Sequence, residues 1–384
     1  MNLPLHGGHA PPYLVKRMIK LSHCISKVVI DEFGEHEFLK RLSDPLWFQA
    51  FGCVLGFDWH SSGLTTVVTG VLKQALEHDV HGICIAGGKG IKSTTTKHDI
   101  PNLAERNFNL SSKRVDELLY ASKMAAKVDN AAIQDGYSLY HHVILFDRDG
   151  DWTIIQQGMN TRYNMARRYH WLSDNLGGFV KEPHTGIISE RRDSNVLNMT
   201  SIDSISNQQL CVDLATGDTG ALKSSVYKVT SMLSCKRKVT LDNWLSDGPS
   251  KYADFDMIQN YEMPRKLDWD LFRRIYDIQP KSYEQLLSIP GVGPATVRAL
   301  SLIGQLIFGT AASWDDPVKY NFAHGGKDGV PYPVARQTYD KSISYLSAAI
   351  EGAEMERAER IHAIKRLARF SNSMFNQPPT DNQL

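Results

Sequence analysis

No run of 18 or more apolar residues occurs in the 384-residue chain, so a membrane-spanning helix is not expected. Cysteine is scarce and dispersed: Cys24, Cys53, Cys84, Cys211 and Cys235 form no CxxC pair. An odd, scattered set argues against a disulfide frame or a cysteine zinc site and fits reduced thiols in a cytosolic protein. An excess of one charge is also missing, because 43 Lys and Arg face 42 Asp and Glu for a net charge of +1. Bulk charge therefore announces no nucleic-acid partner, and any phosphate-binding surface has to be local. The opening MNLPLHGGHAPPYL has no charged n-region ahead of an apolar h-region, so no secretory signal is expected and a cytoplasmic location is. What is present, 42% hydrophobic and 22% charged residues, suits a globular protein long enough for two or three domains.

Apolar residues at 3–4 spacing predict helices over 10–50, and VHGICIAGG (80–88) reads as a buried strand entering a glycine loop. The segment 115–136, rich in Ala and Leu, reads as one long helix closed by Asp135-Gly136. YHHVILFD, Asp149-Gly150 and WTIIQQG predict a β-hairpin, followed by a helix in NMARRYHWLSDNLGG. Polar residues dominate 182–210, which reads as a loop or linker. Helices resume near PRKLDWDLFRRIYDIQP, a helical pair follows near 338–370, and SNSMFNQPPTDNQL reads as a disordered tail. The expected architecture is an α/β (α+β) N-terminal unit with a small mixed sheet and a β-hairpin, and an all-α C-terminal unit. Its expected divisions are 1–181, a loop-rich extension over 182–250, helical regions over 251–310 and 311–370, and the tail 371–384.

The stretch SIPGVGPATVRAL (288–300) lies between YEQLLSI and a second helical run. It resembles the helix-hairpin-helix motif, in which Gly291 and Gly293 turn the backbone tightly around Val292. Backbone N–H groups there, with the positive end of the second helix at Ala295 and Thr296, suit a phosphate oxygen. Such a grip holds DNA without reading its sequence. The DNA glycosylases built on this motif carry, in their bifunctional members, a lysine where this chain has Ala295, so Schiff-base chemistry at that position is excluded. A monofunctional glycosylase using Asp315 or Asp316 stays open. His324 and Lys327 in KYNFAHGGKDG, together with Arg167 and Arg168 from the basic cluster Arg162, Arg167, Arg168 and His170, are further candidates for nucleic-acid contact.

Side chains able to do chemistry are dense in the first 170 residues. GFDWHSSGLTT (56–66) supplies Asp58 and His60, and AGGKGIKSTTTKH (86–98) sets Lys89, Lys92 and Lys97 among glycines and hydroxyls. Those amides and ammonium groups could cradle phosphate, although the spacing is not that of a P-loop. Lys123, Lys127, Asn130 and Gln134 form one stripe of the predicted helix. With Asp149-Gly150 as a two-residue turn, His142 faces Gln157 and Asp147 faces Trp152. His141, Asp147 and Gln156 then share one face, and His142 and Gln157 the other. A strand acid (Asp147 or Asp151), Gln157 and a helix lysine loosely resemble the PD-(D/E)xK nuclease arrangement, although QQG lacks its Glu and Lys. A His/Asp metal site from Asp58, His60, His141 and His142 is the alternative, and Mg²⁺ or Mn²⁺ is the cofactor such chemistry implies.

LPLHGGHAPPYL (3–14), LSDPLWFQAFGCVLGFDWHSSGLTT (42–66), AGGKGIKS (86–93), KVDNAAIQDGYSLYHHVILFD (127–147), WTIIQQGMN (152–160), ARRYHW (166–171) and KYNFAHGGKDGVPYPV (319–334) together resemble the domain of unknown function 763 family of archaea and bacteria. The resemblance spans nearly the whole chain and implies a prokaryotic, cytosolic protein of that family's architecture, but it supplies no catalytic residues. His9 departs from it, standing where a lysine, as in LHGGKAP, is expected. The expected function is DNA binding and processing, foremost as a metal-dependent nuclease of repair or recombination. Catalytic candidates are Asp58, His60, Lys89, Lys123, Lys127, Asp147 and Gln157. A non-catalytic DNA-binding or scaffold protein is the second expectation, a monofunctional glycosylase the third, and an enzyme acting on RNA stays open.

Overall fold

The computed structural model describes residues 12–57, 63–174, 176–189, 191–236, 261–321 and 336–375. Asp58, His60, His324 and Lys327 lie outside these, as does His9. Helix α1 (Pro12–Phe33) buries Met18, Leu21, Ile25 and Val29 at 3–4 spacing. After α2 (Glu35–Ser43), Asp44 caps α3 (Pro45–Leu55) by accepting the Leu46 and Trp47 amides, with Pro45 at the first helical position. Every residue of α3 is buried, as its unbroken apolar run requires. Helix α4 (Gly63–Ala75) and the short α5 (His78–His81) lead to strand β1 (Ile83–Lys89), and a 3₁₀ turn (Gly90–Thr94) then starts α6 (Thr96–Asn107) and α7 (Ser112–Lys127).

The main sheet has the strand order β1-β3-β4-β5-β6-β9, with β3 (Ser138–Asp147), β4 (Trp152–Asn160), β5 (Met165–Leu172), β6 (His184–Ser189) and β9 (Tyr320–Asn321). All neighbours are antiparallel except β6 and β9, so the sheet is mixed. A smaller antiparallel sheet joins β2 (Ile133–Gln134), β7 (Ser194–Asn198) and β8 (Ser313–Asp315). Each face of the main sheet carries its own core. Ile83, Ile85, Val143, Leu145 and Ile155 pack with α1–α4 and with the C-terminal helices α13 (Arg336–Gly352) and α14 (Arg357–Phe375). Ile144, Phe146, Ile154 and Trp171 pack toward α6, α7 and the helices α8 (Ile205–Thr216), α9 (Thr219–Lys236), α10 (Trp269–Ile278), α11 (Tyr283–Ser288) and α12 (Pro294–Phe308).

Several expectations are corrected here. The hairpin turn holds three residues, not two: Asp147 N–H donates to Asp151 O at 3.0 Å, leaving 148–150 as the loop, with Gly150 at φ +82°. The pairing therefore slips by one, to His142 with Gln156 and His141 with Gln157, and Phe146, not Asp147, faces Trp152. A one-residue slip moves every β4 side chain to the other face. Residues 165–172, expected as a helix, form strand β5; both of its faces are covered, so no polar alternation marks it. The helix expected over 115–136 ends at Lys127 and passes through a π turn (Val128–Ala132) into β2.

The expected linker at 182–210 contains β6, β7 and the start of α8. The C-terminal region is not all-α, because β8 and β9 complete the two sheets. Divisions at 181 and 310 thus cut through sheets, and 371–375 of the expected tail continue α14. No helix among the described residues is long and apolar enough to cross a membrane.

Candidate functional site

Consecutive strand residues point to opposite faces, so His141 and His142 part company. His141 turns toward α4, with Nε2 3.0 Å from the Thr69 hydroxyl, and burial, with His142 and Lys89 nearby, pushes it down to about 3. His142 turns toward α7. Its Nε2 lies 2.8 Å from the Ser122 hydroxyl, and its Nδ1 lies 2.8 Å from Gln156 Oε1. Gln156 Nε2 in turn donates to Asp129, which also accepts Trp171 Nε1–H and pairs with His184 Nε2. The π turn contains Asp129 and leaves that side chain fully buried.

This chain of contacts sets the direction of each proton. Trp171 can only donate, so Asp129 is an acceptor there, and the Gln156 amide turns its NH₂ toward that carboxylate. Its oxygen then faces His142, which must carry its proton on Nδ1 and leave the Nε2 lone pair for the Ser122 O–H. Burial lowers the His142 pKa, against the opposing pull of Gln156 and Asp129, and keeps the ring neutral at pH 7. Ser122, His142 and Gln156 have the order of nucleophile, base and orienting group.

The three line a cavity of about 360 Å³. One wall is α7 with Leu119, Lys123 and Ala126, continued by Asn130 of the π turn, and another is the 90–97 segment with Ser93, Thr94, Thr96 and Lys97. The close pairing of β1 with β3 brings that segment here. At Gly87 (φ +91°) a Cβ would stand 2.3 Å from the His142 carbonyl oxygen, so only glycine lets the strands meet. Lys97 and Lys123 are exposed at the rim, and the lining is largely apolar, from Leu119, Ala126 and Leu139, with Thr96, Ser122, His142 and Gln156 among its buried polar groups.

Of the sequence candidates, Lys123, His141 and His142 line this cavity, although the His141 ring turns to Thr69, and Gln156 takes the place expected for Gln157. Gln157 lies on the other face, where its amide donates to Tyr140 Oη. Lys89 sits outside the cavity, its Nζ 6.0 Å above the Tyr140 ring. Asp147 is a turn residue: its Oδ1 accepts the Asp149 and Asp151 amides at 3.0 and 2.9 Å. Arg167 and Arg168 are 0% and 2% exposed and are not presented to a nucleic acid. Arg167 instead binds both carboxylate oxygens of Asp316 and reaches Asp135 at 2.9 Å, joining β5 to the residues around both sheets. That ion pair also occupies Asp316, while Asp315 is exposed. Arg168 reaches Gln49 Oε1 at 3.0 Å.

Lys127 does not enter the cavity either. Its ammonium donates to the carbonyls of Ile289 (3.3 Å) and Val292, so it clasps the turn between α11 and α12. Gln134 adds a bond to Pro294 O at 2.9 Å and accepts Arg298 Nε–H at 2.7 Å. Within this turn Gly291 has φ +96° and is exposed, as are Pro294 and Ala295, whereas Val292 and Thr296 are buried. Helix α12 starts at Gly293 without a side-chain cap. Pro294, Ala295 and Arg298 border a hollow of about 600 Å³ shared with Tyr261 and Arg265.

Of the four residues expected to hold Mg²⁺ or Mn²⁺, Asp58 and His60 lie outside the described residues, and the rings of His141 and His142 turn to opposite faces of the sheet. Among the described residues the 360 Å³ cavity is lined by no carboxylate, whereas such ions take oxygen ligands. Among the described residues, the group with metal-ligand proximity is His36, Asp147 and Asp151. It lies at the hairpin turn, where both ring nitrogens of His36 are engaged, by Asp151 at 3.1 Å and Asp174 at 2.9 Å. Sequence reasoning missed Ser122, Asp129 and Gln156. The first two look like ordinary helix residues, and the third was turned to the wrong face by the hairpin register.

Residues 1–334 match the family described as protein of unknown function DUF763, and the chain belongs to that family. No curated protein and no solved structure matches it.

Proposed function

We propose that this member of the DUF763 family is a DNA-binding and DNA-processing protein. The 289–293 turn would hold the phosphate backbone as a helix-hairpin-helix, and the cavity beside α7 would act on it. One observation carries the reading: the exposed turn and the lysine-rimmed cavity are both fastened to α7 and the π turn that continues it. Lys127 clasps the turn, while Lys123 and Asn130, one helical turn to either side, wall the cavity. A backbone lying on the turn would meet the free amides of the α12 N-terminus and the cations Arg265 and Arg298. From there it would pass toward Lys123 and Lys97. No carboxylate lines the cavity among the described residues, and no step is derived from a metal.

Ala295→Glu is the direct test. A glutamate in the first turn of α12 favours the helix by about 0.3–1 kcal/mol through the helix dipole, so the fold is retained. The same charge repels phosphate. Binding to duplex and single-stranded DNA, measured by fluorescence anisotropy at two salt concentrations, should weaken at least tenfold, with a shallower salt dependence. An Ala295→Glu protein that binds DNA as the parent does would remove the turn as the DNA grip.

A further inference from the structure

We propose that Ser122 is a covalent nucleophile, activated by His142 as general base, that attacks a phosphodiester in the 360 Å³ cavity. Gln156 and Asp129 are positioning residues. The choice of a nucleic-acid phosphodiester rests on the DNA reading above; the assignment of the nucleophile does not.

Three features support it. First, Ser122 and His142 both face the cavity although their side chains are otherwise buried, so the hydroxyl is shielded from bulk water but open to a ligand. Second, the contact between them is 2.8 Å, within the reach a general base needs, and its proton direction is fixed three residues away by Asp129. A serine that merely filled space beside a histidine would not require a buried amide and carboxylate to orient the ring. Third, Lys97 and Lys123 line the same cavity, where they can neutralise the non-bridging oxygens as charge builds on phosphorus, and Asn130 beside them can donate hydrogen bonds.

The reaction balances without an added cofactor. Ser122 Oγ forms a bond to phosphorus, and its proton passes to His142 Nε2. The bond from phosphorus to one sugar oxygen breaks, and that oxygen takes the proton from His142. The products are a free sugar hydroxyl and a phosphodiester joining Ser122 to the other strand end. Either the freed hydroxyl attacks back and restores the strand, or water, deprotonated by His142, releases the end and regenerates Ser122.

The experiment treats the intact protein with diisopropyl fluorophosphate, in which fluoride is the leaving group, and maps the adduct by mass spectrometry. In parallel, end-labelled DNA is incubated with the protein and denatured in detergent to reveal covalent complexes. Phosphorylation of Ser122 that is lost in Ser122→Ala and slowed at least tenfold in Gln156→Leu is the expected result. Where Ser122→Ala does not fold, Ser122→Cys serves instead, and its thiol should alkylate with iodoacetamide faster than that of the half-buried Cys24. Modification of Ser122 without any DNA complex would keep the nucleophile and remove nucleic acid as its substrate. DNA binding with Ser122 unreactive in both forms would overturn the inference and leave the DNA reading standing.

Discussion

Asp147 illustrates how a single carboxyl can be conspicuous in a sequence and still serve the fold. Its Oδ1 closes the hairpin turn through two backbone N–H bonds, yet burial and the neighbouring Asp151 and Asp149 carboxylates raise it to about 6. The unfolded chain titrates such a group near ~3.9. The native state therefore holds this proton more tightly, so the contribution of Asp147 is most favourable below about pH 4 and is lost as pH rises through about 6. Asn at this position can accept the same two bonds without charge. Asp147→Asn should be as stable as the parent at pH 8 or more so, by about 1 kcal/mol, with a flatter stability profile between pH 4 and 6 in urea unfolding. A variant clearly less stable at pH 8 would assign the carboxylate a role beyond the turn. Arg167 makes the same point with opposite chemistry: a residue counted as a phosphate contact is sealed against Asp135 and Asp316.

At the scale of elements, the decisive feature is the π turn after α7. One added residue per turn rotates the end of the helix, burying Asp129 behind Gln156, placing Asn130 at the cavity and leaving Lys127 under the 289–293 turn. Lys127→Met should loosen that turn, costing about 1–3 kcal/mol from two charge-assisted hydrogen bonds. Amide exchange in 289–297 should accelerate while Ser122 keeps its reactivity toward the fluorophosphate. Equal effects on both would mean that Lys127 supports the cavity itself. The helices α1 to α3, strand β1 and the turn flanked by α11 and α12 were legible because their apolar spacing, caps and glycines are local signals, whereas α4 was not read as a helix from the sequence. The π turn was not, since an i→i+5 bond leaves no mark in residue type. Likewise, Asp149-Gly150 announced a hairpin correctly, but a three-residue loop carries the same pair of residues as a two-residue one. That single residue decided whether Gln156 or Gln157 met His142. Strand β5 escaped because arginines and a histidine, satisfied by partners far away in sequence, occupy its buried faces.

For the whole molecule, the two-unit picture gives way to a main sheet with a core on each face, completed by β6 and β9, beside a smaller sheet to which β7 and β8 contribute. Candidate chemistry and candidate grip then belong to one body joined along α7, which is what allows a ligand held at one to be presented to the other. Hydrogen–deuterium exchange with and without duplex DNA tests this most directly. The account predicts that DNA slows exchange at 291–297 and, in the same experiment, at 90–97 across the cavity. Protection at only one of the two, or at neither, would contradict it.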